Sequence, residues 1–178
     1  MSGFIFPNEG AVQWDLLIVI YPYITGLVAG AFIVSSLYHV FGLTRLRPVA
    51  RFSLITALAF LLVTPLPLVI HLGRPERAFE MFLTPQLTSA MSAFGYIWFA
   101  YLLILLAEVW FVFRPDIVKR ANETEGGVKT LYTALALGVT TIPEESRKVD
   151  ERFIKVLSFV GMPVAFLLHG YVGFIFGS

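Results

Sequence analysis

Four long apolar stretches dominate the chain: residues 16–44, 52–73, 81–107 and 156–178 contain no Asp, Glu, Lys or Arg. Each exceeds the roughly 18–20 residues that cross ~30 Å of hydrocarbon at ~1.5 Å per residue. Backbone polar groups in lipid have no water to bind, so a spanning segment satisfies them internally as a helix. The pattern predicts an all-α integral membrane protein built as a four-helix transmembrane bundle. An uncharged run over 130–143 is too short to span and predicts an interfacial or re-entrant helix within the polar 114–155 connection. Gly26-Leu-Val-Ala-Gly30 and Gly173-Phe-Ile-Phe-Gly177 are small-xxx-small faces suited to close helix packing, although membrane helices are rich in glycine generally. Pro22, Pro65, Pro67 and Pro163 remove backbone donors and predict bends in the spans. The last apolar stretch runs to Ser178 without a polar flank, which reads as the N-terminal half of a longer protein.

Composition sharpens this reading. The chain is 57% hydrophobic and 14% charged, against roughly a quarter charged in a soluble domain. The first stretch is too long for a secretory signal, and residues 1–13 carry only Glu9 in place of a positive leader. With no cysteine, the chain offers no disulfide and no ligand set of its own for an iron–sulfur cluster.

The net charge of +1 hides a strong asymmetry. The connection between the first two spans carries Arg45, Arg47 and Arg51, and that between the last two carries Arg114, Lys119, Arg120, Lys129, Arg147, Lys148, Arg152 and Lys155. The opposite side has Arg74 and Arg77, a division of eleven against two. The positive-inside rule places the two basic connections in the cytoplasm and the N-terminus outside, periplasmic in a cell inner membrane. These cations follow the membrane asymmetry, so lipid is the expected partner and nucleic acid is not. Polar residues from three spans then converge toward the outer face: Trp14, Asp15 and Tyr21 at the start of the first, His71, Arg74 and Glu76 at the end of the second, His169 and Tyr171 late in the fourth. On the inner side His39 and Glu108 lie at similar depth.

Each group has a plain reading beside a functional one. His71-Leu-Gly-Arg-Pro-Glu-Arg77 is either a headgroup anchor or the mouth of a pocket where Gly73 and Pro75 break the helix. His169, some two thirds along its span, needs a partner, because an unmet imidazole in hydrocarbon costs several kcal/mol. That partner is either a backbone carbonyl or a quinone headgroup, whose carbonyls accept hydrogen bonds and whose reduction consumes protons. Tyr21 and Tyr23 also fit an aromatic belt. His39 and Glu108 either pair, as the inner end of a proton route, or snorkel to the interface. A haem b anchor requires two facing histidines at one depth, and His71 with His169 is the sole pair on one side.

The chain resembles the NrfD/polysulfide-reductase membrane-subunit family over essentially its whole length. The likeness rests on Trp14-Asp15-Leu-Leu-Ile with Gly26-Leu-Val-Ala-Gly-Ala-Phe32, and on His71-Leu-Gly-Arg-Pro-Glu-Arg77. It continues through Thr88-Ser89-Ala-Met-Ser92, Gly161-Met-Pro163 and His169-Gly-Tyr-Val-Gly-Phe174. The resemblance implies a haem-free quinone- or quinol-interacting subunit, with menaquinone as the expected quinone. It implies an iron–sulfur partner subunit that relays electrons to or from a molybdopterin enzyme or a multihaem cytochrome. Family members usually continue into further helices. On this reading Asp15, Tyr21, His71, Arg74, His169 and Tyr171 are the candidate quinone ligands. Arg74, Glu76 and Arg77 dock the partner, and His39 and Glu108 carry protons. The alternatives are a haem b cytochrome anchor and a transporter bundle.

Overall fold

The computed structural model describes residues 16–71, 78, 83 and 90–177, without the side chains of 71, 90–92 and 174–177. Helix α1 is Leu16–His39, followed by a 3-10 turn at Thr44–Leu46. Helices α2 (Arg47–Val63) and α3 (Pro65–His71) together make the second crossing, and α4 is Ala90–Glu123. The short α5 (Gly126–Leu135) and the long α6 (Glu144–Gly177) complete the chain. Four crossings have the length and hydropathy to span a membrane, as the apolar pattern predicts, and the described residues contain no strand.

The buried positions explain the assembly. Those of α1 include Tyr21, Thr25, Val28, Phe32 and Ser35, and those of α2 are Ala50, Leu54, Ala57 and Leu61. Phe94, Tyr101, Leu105 and Glu108 of α4 are buried in the same rhythm, as are Ser158, Ala165, Leu168 and Val172 of α6. Alternating three- and four-residue steps are the seam of a coiled-coil-like bundle, in which each helix presents one narrow stripe inward. The neighbours around the bundle run α1, α2, α4, α6 and back to α1. The remaining faces are apolar too: Phe52, Phe159 and Phe166 are 72%, 65% and 63% exposed. A helix that is apolar all round needs a lipid solvent for its outer face.

Local chemistry sets the ends and the bends. Gly42, at φ 67, closes α1: its N–H donates to Tyr38 O at 3.0 Å, and Leu43 N–H donates to Leu37 O at 3.3 Å. That double bond needs a left-handed residue just past the helix, which glycine adopts without strain. Pro65 separates α2 from α3, and its missing N–H leaves the Leu61 carbonyl without its helical donor. The Trp98 indole on α4 fills the vacancy, with Nε1 donating to Leu61 O at 3.3 Å. Pro22, Pro115 and Pro163 lie inside α1, α4 and α6 without ending them.

The basic end is stapled. Arg114 Nη1 donates to both carboxylate oxygens of Asp150, at 2.7 and 2.9 Å, joining α4 to α6. Arg51 pairs with Asp116, joining α2 to α4, and its guanidinium lies 4.3 Å from the Phe113 ring centroid. Helix α5 packs along α4, with Trp110 Nε1 donating to Leu135 O at 2.8 Å; it covers 126–135 rather than the predicted 130–143, because Leu137 and Gly138 take positive φ and end it.

Candidate functional site

The described polar residues of the spans gather in two places. The first lies toward the charge-poor end, where α1 meets α6. Thr25 is 2% exposed and sits one turn after Tyr21 on the α1 seam. Its hydroxyl donates to Pro22 O at 2.8 Å, and the same oxygen lies 3.2 Å from His169 Nδ1. Thr25 is about 13 Å along α1 at ~1.5 Å per residue, so the contact lies well inside the span. Gly26 supplies the room: a Cβ there would come within 3.3 Å of His169 Cε1. The first glycine of the Gly26–Gly30 pair thus accommodates an imidazole, and a Cβ at Gly30 would meet open space.

His169 is exposed, so its ring lies at the perimeter of the bundle. Tyr21 is buried beneath, its ring edge-on to Phe94 with centroids 5.7 Å apart. Tyr171 packs against the core cluster. It lies two residues beyond His169, ~200° around the helix, and therefore flanks the seam on the other side. Tyr21 lies one turn before Thr25 on the same seam, His169 meets Thr25 from α6, and Tyr171 packs against the core cluster that includes Tyr21. Helix α3 packs on α1 and ends at His71. Asp15, Arg74, Glu76 and Arg77 lie outside the described residues, as does the His71 side chain.

The second gathering lies nearer the basic end. Glu108 is fully buried, and Ser158 Oγ of α6 donates to its Oε1 at 2.6 Å. Its Oε2, the Tyr101 hydroxyl, the Ser35 hydroxyl and His39 Nε2 are buried without a hydrogen-bond partner in the structure. Glu108 stays in the core and takes Ser158 rather than His39, whose ring lies edge-on to Tyr38 at 4.9 Å. Tyr101 in turn sits edge-on to Phe32, with centroids 5.5 Å apart. Buried polar groups of this density are normally satisfied by ordered water or an ion.

Thr25, Gly26 and Ser158 are absent from the sequence-derived set. Thr25 was legible in principle, one turn after Tyr21 on a seam, whereas Ser158 emerges only from the antiparallel register of α4 and α6.

Fold and site define a multi-pass α-helical membrane protein with a polar notch in its charge-poor half and a polar layer in its basic half. The chain belongs to the NrfD family of polysulphide reductase proteins, whose model matches residues 6–178. It is 32% identical over 171 residues to a selenate reductase subunit of Mesobacillus selenatarsenatis, covering 93% of this chain and 40% of that protein. It is 26% identical over 167 residues to a putative dimethyl sulfoxide reductase membrane subunit of Halobacterium salinarum, covering 93% of this chain and 35% of that protein. The chain therefore spans two fifths or less of the length of these curated relatives. No solved structure gives a significant match.

Proposed function

We propose that this chain supplies the quinone-binding helices of the membrane subunit of a respiratory oxidoreductase. It exchanges electrons with an iron–sulfur partner subunit, which connects to a molybdopterin or multihaem catalytic subunit. Its relatives are named as subunits of selenate and dimethyl sulfoxide reductases, and an oxyanion or sulfur-compound reductase of this kind is the proposed assembly. The observation that carries the reading is the Thr25–His169 contact, a polar pair within the spans of a family member whose imidazole is exposed at the bundle perimeter. A lipid-dissolved quinone, menaquinone in this proposal, reaches such a site without crossing water.

The residues fit the headgroup chemically. A quinone offers two carbonyl acceptors, its quinol two hydroxyl donors, and the couple supplies two electrons and two protons. An imidazole at His169 can hydrogen-bond such a headgroup, held by Thr25 from behind. Tyr21, Tyr171, His71, Asp15 and Arg74 are proposed to complete the headgroup surroundings. Arg74, Glu76 and Arg77 form the docking edge for the iron–sulfur partner on the periplasmic side of the cell inner membrane. His39 and Glu108 are proposed as the cytoplasmic end of a proton route.

The test is a His169→Leu variant compared with wild type in native membranes, with assembly of the complex followed in parallel. Quinol-dependent turnover is expected to fall roughly 5- to 150-fold while the complex still co-purifies, since losing a headgroup hydrogen bond costs about 1–3 kcal/mol. Wild-type turnover in the variant overturns the placement.

A further inference from the structure

The Thr25–His169 contact fixes more than a ring position. A threonine hydroxyl carries one proton, and a carbonyl can only accept. Of the two contacts of Thr25 Oγ1 the one to Pro22 O, at 2.8 Å, is the shorter, and it takes that proton. The Thr25 oxygen then meets His169 Nδ1, 3.2 Å away, through a lone pair. A lone pair facing a bare ring nitrogen repels it, so Nδ1 must carry the hydrogen. In the neutral ring Nε2 is consequently unprotonated and presents an acceptor.

Gly26 holds the ring in this pose. The edge that runs from Nδ1 through Cε1 to Nε2 lies over Gly26 Cα, with Cε1 3.3 Å and both nitrogens 3.9 Å from the point where a Cβ would sit. A 180° turn of the ring would put Cδ2 in place of Nδ1 against Thr25, so the ring has one orientation that keeps its hydrogen bond.

We propose that Thr25 and Gly26 are positioning residues that hold His169 as an Nδ1–H imidazole with Nε2 left as an acceptor, so that the site selects the quinol over the quinone. This rests on the quinone reading above and deepens it. A quinol hydroxyl donates to the Nε2 lone pair. A quinone carbonyl brings a second lone pair against it and gains nothing. The neutral site therefore discriminates by the direction of one hydrogen bond, the device by which a buried acceptor rejects an analogue that lacks the donor.

Two measurements on the intact complex in lipid test this, both at pH 8. The first is nitrogen-15 NMR of histidine-labelled protein, with the His169 signals assigned by their loss in His169→Gln. Wild type and Thr25→Ser are expected to show the Nδ1–H form, and Thr25→Val to lose that preference. An Nε2–H form in wild type overturns the lock. The second is binding of menadione and of its hydroquinone under anaerobic conditions, read by displacement and by difference absorbance. The hydroquinone is expected to bind roughly tenfold tighter to wild type, the worth of one hydrogen bond. Thr25→Val should bring the two forms within about twofold, and Gly26→Ala should do the same by lifting the ring. Equal affinities in wild type with Nδ1–H intact overturn quinol selection while leaving the notch a quinone site. Binding of neither form overturns the quinone reading itself, and quinol selection with it.

Discussion

Gly161 shows how little slack the bundle interior leaves at single residues. A Cβ at this α6 position would sit 2.4 Å from Phe32 Cζ and 3.2 Å from Ile104 Cγ2. Phe32 is fully buried and already edge-on to Tyr101, so its ring has nowhere to swing. Gly161→Ala is expected to lower stability by about 1–3 kcal/mol, the usual cost of overpacking, read as a lower unfolding midpoint in detergent. An unchanged midpoint would mean that Phe32 moves freely. Glu108 poses a different question at the same scale. With one carboxylate oxygen bonded to Ser158 and the other unsatisfied, it is placed to hold a proton or a water for the proposed route. Glu108→Gln keeps the volume and the Ser158 contact while removing the exchangeable proton. In sealed vesicles its proton movement per electron pair is expected to fall. Unchanged stoichiometry and rate would leave Glu108 as a packing residue.

At the scale of elements, proline and tryptophan work as a pair. Pro65 divides the second crossing, and Trp98 of α4 reaches over to satisfy the Leu61 carbonyl that the division strands. The broken helix is therefore held in register by its neighbour across the bundle. Trp98→Phe keeps most of the packing and deletes the donor. It is expected to cost about 1–3 kcal/mol, as for any buried acceptor left unsatisfied, with faster amide hydrogen exchange confined to the 61–68 region. Exchange unchanged there would show that water or lipid headgroups replace the indole. Pro65 and Pro67 mark the bend in the sequence, but the partner that satisfies it does not, because it lies 37 residues away on another helix. The α5 segment is the converse case. Its missing charges over 130–143 mark a non-spanning helix, and the Trp110–Leu135 bond shows what it leans on.

For the whole molecule, the eleven-to-two division of Lys and Arg becomes a property of the bundle's two ends. Described cations at one end, among them Arg45, Arg47, Arg51, Arg114 and Lys155, border the stapling ion pairs Arg51–Asp116 and Arg114–Asp150. Reporter fusions at the N-terminus and at the 124–125 turn between α4 and α5 are expected to lie on opposite sides, the turn cytoplasmic. A turn found outside would overturn the orientation and the proposed periplasmic docking edge together. The four spans and the presence of a short helix in the last connection were legible in the sequence, because they follow from runs of apolar residues and need no knowledge of neighbours. His169, Tyr21 and Glu108 stood out for the same reason, as polar groups where lipid or core should be. Their partners depended on how antiparallel helices slide and turn against one another, and one residue of slip rotates a side chain by ~100°. Only the tertiary structure decided that His169 meets Thr25 over Gly26, that Tyr171 flanks the seam on the other side, and that Glu108 takes Ser158 rather than His39. Hydropathy is local and additive along the chain, whereas helix register is settled by volumes packing across the bundle.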